Sequence, residues 1–479
     1  MNNLSSTKPS VGSYKPVFLV IGLLTLAAAL GWVGVQTFTS NLSSIGIEYG
    51  SLLMLVLMIG LLLTGMQLAF VTGLVALIFT LGWFGVDALP LITSRIFSFV
   101  SGYVFLAVPM FVLMAALLDR SGIARDLFDA MKSVGRKVRG GVAVQTLLVA
   151  VILASMSGVI GGGETVLLGI LALPQMLRLG YDRKLAIGTT CAGGALGTML
   201  PPSIVLIIYG LSASVSIGEL FKAAFLPAFI LAMFYMAYVL IRCKLNPDLA
   251  PLPSEEDLAK DAEAHPSYFK ALFFPLLSVA TVLGSIYTGI ASVTEASALG
   301  VVGIAISAAI RKELNWKMIK ESSIATMRTC GMIMWIGIGA SALVGVYNLM
   351  GGIDFVEETI LALSGGNAMS TLLIMMAILF VLGMFLDWVG VALLTMPIFV
   401  PIITGLGMDP IWFGVVFCLN MQVAFLSPPF GPAAFYLKSV APKDISLGEI
   451  FTALLPFIAL QVSVLALVIV FPELALWWR

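Results

Sequence analysis

Apolar residues run along this chain in long blocks, and polar residues fall between the blocks rather than within them. Ten stretches carry no charge: residues 16–47, 49–86, 96–118, 185–218, 223–241, 271–294, 296–310, 329–353, 410–437 and 450–472. About 20 apolar residues in a helix cross roughly 30 Å of hydrocarbon. Nine blocks predict one crossing each, and 49–86 predicts two short helices with a break near Gly65-Met66-Gln67. The total is about eleven transmembrane helices. Two further segments, near 140–178 and 359–408, are each interrupted by one acidic residue, Glu164 or Asp387.

The distribution of cations tests this count, because cytoplasmic loops are enriched in Lys and Arg. With a cytoplasmic N-terminus and a change of side at every crossing, 22 of the 25 cations fall inside, all but Arg95, Lys222 and Arg479. The parity holds only if both interrupted segments enter and leave on the same side. They are therefore predicted to be re-entrant hairpins, and the C-terminus is predicted to be periplasmic.

Composition agrees. The 479 residues are 60% hydrophobic and only 10% charged, against about 25% charged in soluble domains. The one long polar stretch is 242–270. The fold class is an all-α polytopic membrane protein. Lys+Arg and Asp+Glu balance at 25 each, so no charge excess points to nucleic acid. His265 is the only histidine, and the four cysteines have no paired spacing, which disfavours metal or disulfide chemistry. No phosphate-binding Gly-rich loop with its lysine is present, and no residue set suggests an organic cofactor; an enzyme is not expected. The run at 16–47 holds 32 uncharged residues, too many for a secretory signal's apolar core, and reads as a retained anchor helix.

Two parts of the chain match. Glu164 precedes Pro174 by ten residues, as Asp387 precedes Pro397, and Leu179-Gly180-Tyr181-Asp182 answers Leu406-Gly407-Met408-Asp409. Pro201-Pro202 and Tyr209 recur as Pro428-Pro429 and Tyr436, all at an offset of 227. Upstream, Ser121-Gly122-Ile123 and Gly351-Gly352-Ile353 each open an amphipathic stretch, the first cationic and the second acidic. The same pattern on opposite sides predicts an inverted repeat, the mark of a secondary transporter with its site where the halves meet.

The local chemistry supports that site. Gly193-Gly194-Ala195-Leu196-Gly197-Thr198-Met199-Leu200-Pro201-Pro202-Ser203 and Val423-Ala424-Phe425-Leu426-Ser427-Pro428-Pro429-Phe430-Gly431-Pro432 interrupt apolar spans. Proline removes a donor and glycine admits unusual dihedrals, so both spans are predicted to break. Broken backbone inside a membrane must line a cavity or bind an ion. Carbonyls of unwound turns suit Na⁺, and half-helix N-termini suit an anion. The hairpin tips, 155–164 and 383–387, offer similar chemistry. An acid at membrane depth costs several kcal/mol unless paired or hydrated. Glu164 and Asp387 either set the field around a cation, and so act in coupling, or bond the tip amides. Glu295 is expected to cap a helix starting at Ala296. No Lys or Arg lies inside the repeat cores, so an anionic substrate must be held by dipoles, by bound Na⁺ or by a partner's arginine.

Ser157-Gly158-Val159-Ile160, Leu173-Pro174-Gln175-Met176, Gly180-Tyr181-Asp182, residues 196–203, Thr294-Glu295-Ala296, residues 383–387 and residues 426–431 resemble the large membrane subunit of tripartite ATP-independent periplasmic (TRAP) transporters. The likeness extends from about Ser51 to the C-terminus. It implies an elevator-type transporter of the bacterial inner membrane, paired with a small four-helix membrane subunit. A soluble periplasmic binding protein would deliver the substrate. Na⁺, two ions or more, would drive uptake of an organic acid such as a dicarboxylate, sialic acid or 2-oxoacid. The resemblance places Na⁺ near Ser155, Gly193, Gly197 and Thr198, and again near Gly383, Asp387, Ala424 and Ser427. Substrate would lie near Ser157, Gly158, Pro202, Ser203, Ser427 and Pro429.

The implied organisation has a linker-like helix in 1–50 and scaffold helices with a first amphipathic arm in 51–139. A first transport half spans 140–218, and further scaffold with a second arm spans 219–366. A second transport half fills 367–440, and a last helix 441–479. Val293 and Phe430 depart from the family pattern, at positions usually holding a proline and a smaller residue. A stand-alone Na⁺- or H⁺-coupled carboxylate symporter is the alternative, and a channel or a non-transporting scaffold is the reading of another class.

Overall fold

The computed structural model describes residues 42–131, 138–157, 162–252 and 268–479. The anchor helix expected in 16–47 and most of the polar 242–270 loop lie outside them. The described residues form nineteen α-helices and no strand. The first, α1 (Gly46–Leu63) and α2 (Leu68–Phe84), are separated at the expected Gly65 break, where φ is +85°. Next come α3 (Leu89–Val100) and α4 (Ala107–Arg120). The charge-free run at 96–118 is therefore not one helix. Ser101 and Gly102 end α3, and a 3-10 turn at Tyr103–Leu106 restarts the span.

The first repeat follows. An arm, α5 (Ile123–Met131), leads to the hairpin α6 (Gly141–Ser157) and α7 (Gly162–Arg178). The broken span is α8 (Arg183–Ala195) and α9 (Ile204–Ala213), and α10 (Ile217–Leu245) closes the half. Between the repeats lie α11 (Tyr268–Tyr287) and α12 (Val293–Ile310). The long α13 (Trp316–Leu349) opens the second half. The arm α14 (Gly352–Ser364), the hairpin α15 (Ala368–Phe385) and α16 (Trp388–Gly405), the broken span α17 (Pro410–Leu426) and α18 (Pro432–Val440), and α19 (Leu447–Val470) then repeat the order. Counting each hairpin as a return and each broken pair as one span, and leaving out the two arms and the 12-residue α3, gives ten crossings among the described residues. The anchor helix would be the eleventh.

The feet of each hairpin lie together, through a hydrogen bond in the first and through packing on the arm in the second. Val142, at the start of α6, donates its N–H to the Tyr181 hydroxyl just after α7, at 3.2 Å. Both α15 and α16 pack on the arm α14. Both hairpins therefore come back to the side they leave.

Two ion clusters demonstrate the inversion. Arg183, starting α8, pairs with Glu449 at 3.1 Å and Asp444 at 2.9 Å, around the start of α19. Arg479 pairs with Glu219, in the first turn of α10, at 2.7 Å and with Asp409, the N-cap of α17. The broken span of each half thus begins where the last helix of the other half begins, so the two spans run in opposite directions. We call these ends the Arg183 face and the Arg479 face. Such exposed pairs contribute little stability; their value is geometric.

Capping sets the helix starts. Asp182 and Asp409 accept the Leu185 and Ile411 amides at 2.9 and 2.7 Å. Glu295 is not the cap of α12. The helix starts at Val293, Ser292 is its N-cap, and the Glu295 carboxylate returns to the Ser292 N–H at 2.7 Å. This is a capping box, with the acid three residues inside the helix.

The scaffold is organised by α13, whose 34 residues extend about 51 Å. It packs on α2, α3 and α4. A Cβ added at Gly339 would lie 2.2 Å from the Thr72 hydroxyl and 2.5 Å from the Ala69 carbonyl oxygen. Backbone has to move to admit it. Gly339→Ala should therefore destabilise the protein by about 1–3 kcal/mol. A lowered melting temperature in detergent checks this, and an unchanged one would contradict the close α2–α13 packing.

Candidate functional site

At the first repeat the α8 helix ends in a 3-10 turn at Leu196–Thr198, and residues 199–203 then run non-helically into α9. The break is fully buried. Hairpin one packs directly on it, because glycine removes every side chain in between. A Cβ on Gly194 would meet the Thr165 hydroxyl at 2.2 Å and its Cα at 2.7 Å. A Cβ on Gly197 would lie 2.1 Å from Glu164 Oε2, so the carboxylate sits against the Gly197 backbone. Gly193 faces Ala150 and Leu168 of the two hairpin legs. The Thr198 hydroxyl donates to the Ala195 carbonyl at 2.8 Å, and Ser203 Oγ donates to the Thr198 carbonyl at 2.5 Å.

Among the named residues, the structure thus brings Glu164, Gly193, Gly197, Thr198 and Ser203 together beside the buried Pro202. Ser155 is half-buried in α6 and donates to the Val151 carbonyl at 2.9 Å. Ser157 is the last residue of α6. Gly158 lies outside the described residues.

The second repeat is built differently at the same place. Gly383 of hairpin two faces Ala424, whose Cβ would be 2.9 Å from an added Cβ. Ser427 is the C-cap of α17, its amide donating to the Ala424 carbonyl at 3.1 Å and its hydroxyl to the Val423 carbonyl at 2.7 Å. Asp387 is the N-cap of α16 and accepts the Val389 N–H at 2.9 Å. Pro428, Pro429 and Phe430 are exposed, and the Phe430 ring lies 5.2 Å from that of Phe385 on the hairpin tip. Both Pro–Pro bonds, Pro201-Pro202 and Pro428-Pro429, are cis.

One small cavity, of about 40 Å³, joins the halves. It is lined by Thr198 from the first break, Gly383 and Asp387 from the second hairpin, and Met421, Phe425 and Tyr436 from the second broken span. Several carbonyls near the breaks already accept local bonds, as those of Ala195, Leu196 and Thr198 do. The breaks are therefore less open than a count of missing helical bonds suggests.

Three features escaped the sequence reading. Buried Gln422 donates from Nε2 to the Ala195 carbonyl at 2.9 Å, its own counterpart at the offset of 227. It therefore marks the pseudo-twofold axis. The Tyr436 ring packs on Gly162 at the first hairpin tip. Finally, Ser216-Ile217-Gly218-Glu219-Leu220-Phe221 recurs as Ser446-Leu447-Gly448-Glu449-Ile450-Phe451. Each serine caps the helix after a broken span and accepts the Glu219 or Glu449 amide, at 3.3 and 3.1 Å. Searching for a repeated cap motif beyond the two breaks would have found it.

Inverted halves, each with a hairpin packed on a broken helix, define a secondary transporter by their architecture. Residues 55–474 match the family described as "Tripartite ATP-independent periplasmic transporter, DctM component". The chain belongs to that family, the large permease subunits of TRAP transporters, and is a multi-pass protein of the inner membrane.

The large permease DctM of the C4-dicarboxylate TRAP transporter of Pseudomonas aeruginosa is 29% identical over 396 residues, covering 82% of this chain and 90% of that protein. SiaM, the sialic acid TRAP transporter large permease of Vibrio cholerae, is 28% identical over 425 residues, covering 87% and 96%. Among solved structures, the Neisseria gonorrhoeae protein MtrF superposes with a TM-score of 0.60 at 15% identity, covering 81% of this chain and 85% of that one. The Alcanivorax borkumensis YdaH transporter gives 0.59 at 15% identity, covering 82% and 90%. These two share the fold.

Proposed function

We propose that the chain carries an organic acid inward by Na⁺-coupled elevator transport, in a complex with a small membrane subunit and a periplasmic binding protein. In this reading the N-terminus is cytoplasmic, and the Arg479 face is periplasmic. The hairpins and broken spans move together, while α13 and its neighbours stay fixed. Carboxylate substrates fit the relatives, whose names specify C4-dicarboxylates and sialic acid.

The observation that carries the reading is the shared cavity, where Thr198 of one half meets Gly383 and Asp387 of the other. A movement that carries both halves as one keeps that site intact. The donors around it suit Na⁺ as a co-transported ion. Hydroxyl, carboxylate and carbonyl oxygens surround both breaks, and among the described residues no Lys or Arg lines the cavity. Hard cations prefer oxygen ligands.

The test is uptake of C4-dicarboxylates, sialic acids and 2-oxoacids into proteoliposomes holding this chain with its small subunit. Binding protein and a Na⁺ gradient are each supplied or withheld. The expected result is uptake that requires both. Uptake without binding protein would make the chain a simple symporter, and uptake following a pH gradient would replace Na⁺ by H⁺.

A further inference from the structure

A second cavity among the described residues is larger than the one at the hairpin tip. It has a volume of about 520 Å³ and opens between the scaffold and the transport halves. Its scaffold wall is α3, with Arg95 and Ser98, and the end of α13, with Ser341 and Asn348. Its transport wall is the end of α9, with Ser212 and Ser214, and the outer half of α16. All four elements approach the Arg479 face here: α9 ends just before the Glu219 turn, and α16 leads into Asp409.

Among the described residues, Arg95 is the only charged one in this lining. Its side-chain stem lies on Gly345 of α13, where an added Cβ would be 3.2 Å from Arg95 Cγ. No acidic group among the described residues lies within ion-pair distance of it. An exposed guanidinium without an ion partner, in a lining that also holds Ser98, Ser214 and Asn348, is an anion-accepting group, since Arg presents a planar fork suited to carboxylate.

The cavity also lies on a route. The helices that form its transport wall, α9 and α16, line the tip cavity as well, through Val205 and through Asp387 and Trp388. Six residues separate the two linings along α9, from Val205 to Leu211, and five along α16, from Trp388 to Leu393, about 7–9 Å.

We propose that this cavity is an entry site for the carboxylate substrate, and that Arg95 is the positioning cation that draws the anion in before it reaches the hairpin tips. A charge in a low-dielectric cleft raises the local concentration of an oppositely charged ligand. The sequence places Arg95 among three cations outside the cytoplasm, and the structure gives it this role. The assignment rests on the uptake function proposed above, so its test has one arm that does not use uptake.

In that arm, Asn348→Cys is made in a background with Cys191, Cys243, Cys330 and Cys418 replaced by alanine. Anionic and cationic methanethiosulfonate reagents are then added from the Arg479 side of oriented vesicles. The anionic reagent should react faster, and Arg95→Gln should reduce the ratio of the two rates by about tenfold. Arg95→Lys should keep it. In the uptake arm, Arg95→Gln should raise KM for the carboxylate about fivefold and leave the maximal rate within twofold, and high salt should flatten the difference. A labelling ratio that ignores Arg95 overturns the site, whatever uptake does. Charge-dependent labelling in a protein that takes up no carboxylate would defeat the proposed function and leave the anion site standing.

Discussion

Gly194→Ala is expected to abolish uptake at least hundredfold while Gly163→Ala leaves it nearly unchanged. A Cβ on Gly194 would stand 2.7 Å from the Cα and 2.8 Å from the amide nitrogen of Thr165, so relief requires hairpin one to move as backbone. A Cβ on Gly163, two residues earlier in the same helix, meets nothing within 4 Å. Misplacing a binding group by about 1 Å can cost 10²-fold, and the carboxylate of Glu164, next in chain to Thr165, would be carried off Gly197 by the same shift. Proteoliposome uptake, normalised to the amount of folded protein seen by size-exclusion chromatography, separates lost function from lost expression. Equal uptake by the two variants would show that the hairpin–break contact is not part of the transport site.

The second large effect concerns Asp387. The residue caps α16 and also lines the cavity between the halves. Asparagine keeps the cap, because its side-chain oxygen accepts the same amide. Asp387→Asn should therefore keep stability within about 0.5 kcal/mol and still reduce Na⁺-driven uptake by about a hundredfold, through loss of the negative field. Asp387→Ala should lose uptake equally and about 1 kcal/mol of stability besides. An asparagine variant that transports normally would reduce Asp387 to a helix cap.

Both positions were visible in the sequence for physical reasons. Glycine and proline inside an apolar span, or an acid with no partner nearby in the chain, conflict with the membrane so strongly that they identify themselves. Ten of the eleven expected crossings match for the same reason, since hydrocarbon tolerates few alternatives. The break after Val100 escaped because Ser101 and Gly102 are weak signals without a proline. Glu295 was placed at the helix start rather than three residues in, although Ser292 with Glu295 is itself the spacing of a capping box. Contacts between the halves were not legible at all. Gln422 and Ala195 are 227 residues apart and Arg479 and Glu219 are 260 apart, and nothing local links them. Arg95 read as an exception to a charge rule until the structure placed it in a cavity.

The crossed ion clusters bear on how such a protein arises. Each joins the beginning of one half's broken span to the last helix of the other half, through the same cap motif carried by both. Two separate copies of a half-length ancestor, inserted in opposite orientations, would bring the same helix starts together as a dimer, although the cation comes from Arg183 in one cluster and from the C-terminal Arg479 in the other. Gene duplication and fusion then need only join one copy to the other. Divergence acts afterwards on a joint that already fits, leaving glycine at Gly197 in one half and alanine at Ala424 in the other.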